Sequence, residues 1–193
     1  MYEYIKGKLI EITPAYAVVE NAGIGYLINI SLHTYSKLSG SENCMLYLHY
    51  VVREDAQIFF GFHARQEREL FRQLISVSGV GPNTARMMLS SLNPDEIQKA
   101  IMSGDVLKLK GIKGIGQKTA ERIIVDLRDK IAKAGALGEI LTGVHNTIRD
   151  EALSALLMLG FSRSITEKTL SKLLAEKADM SAEELVKQAL KQL

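Results

Sequence analysis

Residues 74–89 read LISVSGVGPNTARMML, and residues 109–124 read LKGIKGIGQKTAERII. When the first stretch is shifted by 35 positions, its GVG at 79–81 falls on the GIG at 114–116. Apolar residues recur at helical spacing on both sides of each glycine pair. Two helices joined by a Gly-apolar-Gly turn form a helix-hairpin-helix motif, so the repeat predicts two such motifs in tandem.

The turn of this motif suits a phosphate group. Its glycines adopt backbone angles closed to other residues and let a ligand approach the chain closely, while the apolar residue between them packs between the helices. The N–H groups that begin the second helix then face outward at the positive end of the helix dipole, where they accept a phosphodiester and read no base. The predicted DNA-binding residues are Gly79, Val80, Gly81, Asn83, Thr84, Gly114, Ile115, Gly116, Lys118, Thr119 and Arg122.

Other glycine-rich phosphate sites fit the second copy less well. Gly111 and Gly116 have the spacing of a P-loop, but Gln117 stands where the lysine belongs, and a P-loop follows a strand rather than a helical pattern. A KH-type loop at 111–114 would need flanking strands, which this segment lacks. The glycine order also differs from a dinucleotide fingerprint. A lone Gly-x-Gly turn usually only connects two helices, so the repeat within a basic segment is what favours phosphate binding.

Residues 1–63 alternate polar and apolar side chains with period two. Turn-forming residues separate about five such runs, and LHTYSKL at 32–38 fits a short helix between the third and the fourth. Strands of this number and length predict a small OB-like β-barrel.

The predicted hairpin VVREDAQIFFGF carries two adjacent carboxylates, Glu54 and Asp55, at its tip. Two acids at a hairpin tip are most often a solvated turn. A nuclease would need further carboxylates or histidines that converge on a metal, and the neighbouring sequence supplies none. We therefore predict no catalytic residue and no metal site here.

The rest of the chain has helical patterns. Residues 64–131 predict an all-α tandem helix-hairpin-helix domain, in which Asn93-Pro94-Asp95-Glu96 is a strong helix start. Residues 132–146 hold three glycines and little periodicity, and they predict a flexible linker. Residues 147–193 predict a three-helix bundle, whose LGF at 159–161 resembles the loop of ubiquitin-associated (UBA) domains. The fold class is thus α+β multidomain.

Composition supports a soluble globular protein with an anionic partner. No apolar run reaches the roughly 18 residues that span a bilayer, and the first residues lack the apolar region of a signal peptide, so we expect no membrane association and a cytoplasmic location. Residues 65–131 carry 12 Lys and Arg against 8 Asp and Glu, whereas residues 1–64 carry 4 against 6. The basic surplus coincides with the repeat. The single cysteine, Cys44, excludes an internal disulfide.

Taken together, these segments resemble the RuvA family of Holliday junction branch migration subunits. The resemblance is carried by the hairpin VVREDAQ and FFGF, the paired motifs SVSGVGP and IKGIGQKTAERI, the linker and the C-terminal helices. It covers the whole chain. The sequence departs from the family at Asn83, where Lys is usual, and at Lys113 and Gln117, where Pro and Lys are common; Lys113 would return the charge lost at Gln117.

The resemblance implies a non-catalytic DNA-binding subunit without a cofactor, acting in homologous recombination and DNA repair. It implies a flat homotetramer, with an octamer on DNA left open, that holds a four-way junction open and square, with Glu54 and Asp55 as an acidic pin at the crossover. Residues 147–193 would bind RuvB, the ATPase that moves the DNA, through residues that include Leu170 and Leu174, and RuvC resolvase is a further partner. The alternative is an enzyme in its own right, a nuclease or an ATPase, against which the missing Walker lysine and the absent metal cluster count.

Overall fold

The N-terminal strands close into a barrel. The computed structural model describes residues 2–142, 148–176 and 180–193. Its strands are β1 Tyr4–Ile12, β2 Tyr16–Asn21, β3 Ile24–Ile30, β4 Asn43–Val52 and β5 Gln57–Phe62, with helix α1 Leu32–Leu38 between β3 and β4. The strands pair in the closed order β1-β2-β3-β5-β4, with β3 and β5 parallel and the other pairs antiparallel. The prediction of an OB-like barrel with a short helix at 32–38 is confirmed.

Alternate residues of each strand point into the barrel, because successive side chains of a strand point to opposite faces. The interior is filled by Ile5, Ala17, Val19, Ile28, Ile30, Leu46 and Leu48. Gly61 is required by this packing, since a Cβ at that position would lie 2.5 Å from Cγ2 of Ile28.

Five helices follow the barrel in the described residues up to 142: α2 Arg65–Ile75, α3 Pro82–Ser91, α4 Pro94–Ser103, α5 Val106–Lys110 and α6 Gln117–Thr142. Helix α4 starts at the predicted signal: the side chains of Asn93 and Glu96 form a capping box, and Pro94 occupies the first turn. It ends at Gly104, whose φ of 73° is the left-handed conformation that terminates many helices.

Strand β5 contributes Phe60 and Phe62 to the hydrophobic core of these helices, which is separate from the barrel interior. The ring of Phe71 on α2 lies 5.2 Å from that of Phe60 and 4.8 Å from that of Phe62, both on β5. The same core continues through the helices by way of Leu74, Met88, Leu89, Ile101, Leu109, Ile123 and Leu127. Strands give way to helices near the predicted boundary between residues 63 and 64, but Met1–Ile131 form a single compact unit.

Buried polar contacts orient α2 on the barrel. The buried carboxylate of Glu67 accepts hydrogen bonds from the hydroxyls of Ser31 and Thr34, the latter at 2.7 Å. The next residue, Arg68, is also buried, and it donates to the carboxylate and the backbone carbonyl of Glu3 at 2.6 and 2.8 Å. Because a buried charge is costly unless it is paired, these contacts favour one orientation of the helix.

Helix α3 is attached to the barrel as well. Nη1 of Arg86 donates to the carbonyl of Ala15 at 2.7 Å, and burial lowers the pKa of this guanidinium from its ordinary value. The backbone N–H of Leu32 donates to the hydroxyl of Ser90 at 3.0 Å. Both helices of the first hairpin are therefore held against the barrel.

The linker predicted at residues 132–146 needs correction in its first part. Helix α6 continues through Thr142, and residues 143–146 lie outside the described residues. Gly135 and Gly138 disfavour a helix in this segment, since each glycine costs about 1 kcal/mol in a helix. Strong helix formers surround these glycines, and extending a helix that already exists adds one hydrogen bond per residue without a new nucleation cost. The favourable extension of the helix that begins at Gln117 therefore outweighs the cost of the two glycines.

The second compact unit is Ala132–Leu193. Its described helices beyond α6 are α7 Ile148–Met158, α8 Arg163–Glu176 and α9 Ala182–Ala189, so the three-helix prediction is confirmed. Ser181 and Glu184 form the predicted capping box at the start of α9. Gly160, in the turn between α7 and α8, has a φ of 97°. Across the described residues, none of the helices is both long enough and apolar enough to cross a membrane.

Candidate nucleic-acid interface

The two halves of the sequence repeat have the same backbone hydrogen bonds. In the first hairpin, Val80 N–H donates to Val77 at 3.0 Å and Ala85 N–H donates to Gly81 at 2.9 Å. In the second, Ile115 N–H donates to Ile112 and Ala120 N–H donates to Gly116, at the same two distances. The shift of 35 positions therefore relates two copies of one structure, and the predicted tandem of helix-hairpin-helix motifs is confirmed.

The first glycine of each turn is required by the backbone. Gly79 has a φ of 92° and Gly114 a φ of 91°, in the left-handed region that other residues avoid. The apolar residue that follows, Val80 or Ile115, is buried in the core between the helices. These four residues shape the turns, and the two apolar side chains are not available to a ligand.

The second glycine of each turn has no such explanation in the fold. Gly81 has a φ of −84° and a ψ of 168°, which any residue adopts, and Gly116 is not among the residues with positive φ. A Cβ at either position would meet no atom of the described chain within 4 Å. Both glycines are exposed. They leave open the space directly in front of the helix that follows, where a ligand would contact the backbone.

The start of helix α3 offers free donors to that space. Gly81 is its N-cap, and within the described residues no side chain caps the helix. Asn83 is exposed and Thr84 half-exposed in the first turn. The first N–H groups of a helix lack partners within the helix, and the helix dipole makes them favourable for an anion.

Positive charge near the two turns comes mainly from the second copy. Lys113, Lys118 and Arg122 are exposed in the second turn and on α6, and Thr119 is half-exposed. In the first copy Arg86 is directed toward the carbonyl of Ala15 in the barrel, and Asn83 is uncharged. Among the described residues, the first turn and α3 therefore offer no cation other than Arg86, which contacts the barrel.

Arg122 supplies the link between the hairpins. Its Nη1 donates to the backbone carbonyl of Ser78, in the first turn, at 3.2 Å. A guanidinium has five N–H donors, so one such bond leaves others for an anion. The sequence placed Arg122 only beside Lys118, one helical turn earlier. No local pattern indicates a contact with residue 78, which depends on how the two hairpins pack.

The predicted acidic pair lies at a tight, exposed turn. Arg53 N–H donates to the carbonyl of Ala56 at 2.8 Å, which closes the hairpin between β4 and β5, and Glu54 and Asp55 are exposed at its tip. Helix α2, which leads into the first Gly-apolar-Gly turn, packs on these same two strands. Helix α2 thus connects the acidic β4–β5 hairpin to the first helix-hairpin-helix motif. In the parts of the chain that the structure describes, no group of acidic, histidine or cysteine side chains is arranged to hold a metal ion.

The leucines predicted for partner binding do not form an exposed face, and this prediction is corrected. Leu170 is 0% exposed in the core of the C-terminal helices, and Leu174 packs against that core. The helical pattern alone could not separate core from surface leucines. The exposed apolar residues of this unit include Met158 at 81%, Leu159 at 61% and Ile165 at 57%, which surround the turn between α7 and α8.

Comparison with protein families matches three parts of the chain. The model described as RuvA N terminal domain matches residues 1–61, SAM-like Helix-hairpin-helix tandem matches residues 71–129, and RuvA, C-terminal domain matches residues 147–193.

Curated relatives match over the full length. A protein of Christiangramia forsetii is 50% identical over 193 residues, and the match covers 100% of both chains. One from Bacteroides fragilis is 47% identical over 201 residues, and one from Flavobacterium psychrophilum is 47% identical over 193 residues, again with complete coverage. All three are named Holliday junction branch migration complex subunit RuvA.

Proposed function

Since the chain belongs to the RuvA family, we propose that it is the non-catalytic subunit that binds four-way DNA junctions in a branch migration complex. The observation that supports this most is the pair of equivalent turns with open space at Gly81 and Gly116. Two copies of one phosphate site on one rigid unit suit a repeating ligand, and a DNA backbone repeats.

Each turn would bind a phosphate of the backbone through N–H groups of the following helix. Lys118 and Arg122 would add charge beside the second site, and Arg122 would also reach the first. Contacts of this kind carry no base information, so binding is independent of sequence. It also releases counterions, so the affinity falls steeply as salt is raised.

The acidic tip would select the shape of the DNA. Glu54 and Asp55 would face phosphates of like charge on a linear duplex, which is unfavourable. At a four-way crossover the strands diverge and leave an opening, which accepts the tip while the hairpins hold the arms. Affinity for linear DNA is lowered so that only the junction fits well.

Four copies of the chain would surround the junction as a homotetramer, one for each arm, and a second tetramer on the other face would make an octamer. The barrel exposes several large apolar side chains in addition to its polar ones, among them Ile10, Ile24, Leu27 and Met45. These side chains would be available for contacts between copies.

The C-terminal helices would bind the motor, RuvB, in which ATP hydrolysis takes place, and RuvC would act on the same junction. The apolar residues around the α7–α8 turn, Met158, Leu159 and Ile165, replace Leu170 and Leu174 as the proposed contact surface, because they are exposed.

Gel mobility of the purified protein with four-way and linear DNA of equal length tests the proposal. We expect a strong preference for the four-way DNA, the same for junctions of unrelated base sequence. We expect Lys118→Glu to weaken all of them alike and to reduce the dependence of affinity on salt. ATP turnover or DNA cleavage by this chain alone, or a strong preference for one base sequence, would contradict the proposal.

A further inference from the structure

One end of the barrel carries a cluster of aromatic rings that the contacts described above do not use. Tyr50 on β4 and Phe59 on β5 pair across the sheet, and their rings stack with centroids 4.8 Å apart. The ring of Tyr2 meets both edge-on, at 5.3 and 5.2 Å. Tyr26 on β3 meets Phe59 in the same way at 6.3 Å.

The cluster forms one wall of an open groove of about 710 Å³. The groove is lined by side chains that include Tyr2, Tyr4, Lys6, Tyr26, Asn43 and Phe59. Tyr2 and Tyr4 remain 52% and 57% exposed, so much of their surface is free to contact a ligand. The volume lies within the range of about 300–1,000 Å³ that is common for ligand sites.

The groove lies at the base of the acidic hairpin. Tyr50 and Phe59 are two residue pairs below Val52 and Gln57, the last pair before the turn. At about 3.3 Å per residue, the rings are roughly 10–15 Å along the hairpin from Glu54 and Asp55. In the proposed complex, this is where DNA strands leave one partner and join another.

We propose that this groove binds unpaired nucleobases at the junction crossover by stacking them on its aromatic rings. The inference rests on the proposed function and deepens it, since base pairs must open at the crossover when strands exchange partners. Every base has two π faces, so stacking on tyrosine and phenylalanine tolerates any sequence. The ammonium group of Lys6 would pair with a neighbouring phosphate, and the amide of Asn43 would face the polar edge of a base.

A second copy of this chain is the competing occupant, because exposed aromatic residues are also typical of protein interfaces. The lining favours the nucleic acid. Lysine is depleted in protein interfaces, whereas a cation beside stacking rings is the usual arrangement for single-stranded nucleic acid. Both occupants predict an effect of changing Tyr2, so the experiment has to measure assembly as well as base stacking.

The test uses the full chain and a junction that carries 2-aminopurine at a crossover position, since the fluorescence of this base is quenched when it stacks. Tyr2→Leu removes the ring at a position that is more than half exposed, and Tyr2→Phe keeps it. Tyr16→Leu is the matched control, because Tyr16 is at the opposite end of β2 from Asn21, which lines the groove. Tyr4→Leu is the second groove variant if Tyr2→Leu does not fold.

We expect the wild-type protein, Tyr2→Phe and Tyr16→Leu to change the fluorescence equally, and Tyr2→Leu to lose most of that change. Compared with the wild-type protein, Tyr2→Leu should lose about fivefold more affinity for a junction with unpaired crossover bases than for a fully paired junction. An unchanged response in Tyr2→Leu and Tyr4→Leu would overturn the inference. A smaller assembly of Tyr2→Leu in sedimentation would assign the groove to a second copy and overturn it too. The proposed function is measured separately, by the preference of the wild-type protein for four-way DNA.

Discussion

In the first hairpin, Gly79 has a φ of 92°, whereas Gly81 has a φ of −84° that suits any residue. The two glycines therefore serve different purposes within one turn. The first is needed for the chain to turn at all. The second has open space where its Cβ would be, which is consistent with a ligand that approaches the backbone there.

Alanine substitutions should separate these purposes. Gly81→Ala should change the free energy of unfolding by less than about 1 kcal/mol, because the gain from a less flexible unfolded chain opposes the loss of a preferred N-cap residue. It should weaken junction binding about tenfold or more, as expected when hydrogen bonds to a charged group worth about 1.5–3 kcal/mol are blocked. Gly79→Ala should instead lower the free energy of unfolding by about 1–2 kcal/mol. Denaturant unfolding measures the free energy of unfolding, and gel mobility shifts measure the affinity for junctions.

The corresponding pair in the second hairpin provides a replicate. Gly116→Ala should behave like Gly81→Ala, and Gly114→Ala like Gly79→Ala, since Gly114 has a φ of 91°. If Gly81→Ala and Gly116→Ala bind junctions as tightly as the wild-type protein, no phosphate lies in front of these turns.

Arg122, on the second helix-hairpin-helix motif, contacts the first through its hydrogen bond to Ser78. We expect Arg122→Lys to keep the salt dependence of junction binding but to lower the affinity, because lysine retains the charge without the planar set of donors. Arg122→Gln should lower both. Arg128→Gln is the control, since Arg128 is an exposed cation further along α6. Junction affinity is measured for each variant over a range of salt concentrations. If Arg128→Gln has the same effect as Arg122→Gln, both substitutions act only through the net charge of the protein.

At the scale of the element, the β4–β5 hairpin combines a rigid base with a charged tip. Its base packs on α2, and its turn is closed by the Arg53–Ala56 hydrogen bond, so Glu54 and Asp55 are held at a defined distance from the core. A charged tip on a rigid hairpin repels a duplex, whereas a mobile loop would move aside.

Substitutions that remove the charge of the tip and keep its shape test whether the tip repels a duplex. The double variant Glu54→Gln, Asp55→Asn should bind linear duplex severalfold more tightly, because exposed charges at close range interact by about 1 kcal/mol before salt screening. Its preference for four-way DNA should fall accordingly. The control is Glu20→Gln, Glu42→Gln, which makes the same change in net charge at exposed positions elsewhere on the barrel. If the double variant at Glu54 and Asp55 binds linear and four-way DNA with the same ratio of affinities as the wild-type protein, the acidic pair is only a solvated turn.

At the scale of the whole molecule, the chain divides into the compact units Met1–Ile131 and Ala132–Leu193. Barrel and hairpins belong to the first, and the α7–α9 helices to the second. This division suits the proposed separation of tasks, in which the first unit would bind DNA and the second would contact the motor.

A fragment of residues 1–142, which keeps α6 intact, should bind junctions like the full chain but should not stimulate the ATPase activity of RuvB. In the full chain, Ile165→Asp should abolish that stimulation without unfolding the protein, because the side chain is exposed. Leu170→Ala should instead destabilise the second unit by about 2–5 kcal/mol, since it opens a cavity in the core. ATPase assays and thermal unfolding check both. Full stimulation by the fragment would place the contact with the motor in the first unit.

The sequence by itself determined the features that depend on near neighbours. Strand alternation in residues 1–63, the capping boxes at Asn93 and Ser181, and the two Gly-apolar-Gly turns are all local, and each has the structure its pattern predicts. The extension of α6 through Thr142 is not evident from the glycines of this segment, because it depends on the helix that propagates into them from Gln117.

Only the tertiary structure decided which of these elements meet and which side chains they cover. The contact of Arg122 with Ser78 joins residues far apart in the chain, and the pairing of Glu67 with Ser31 and Thr34 joins α2 to the barrel. Leu170 and Ile165 are both apolar residues of α8, yet one is buried and the other exposed. A periodic pattern shows that a helix has an apolar side, but the packing of neighbouring elements sets how far that side is covered, because burial depends on residues distant in the sequence.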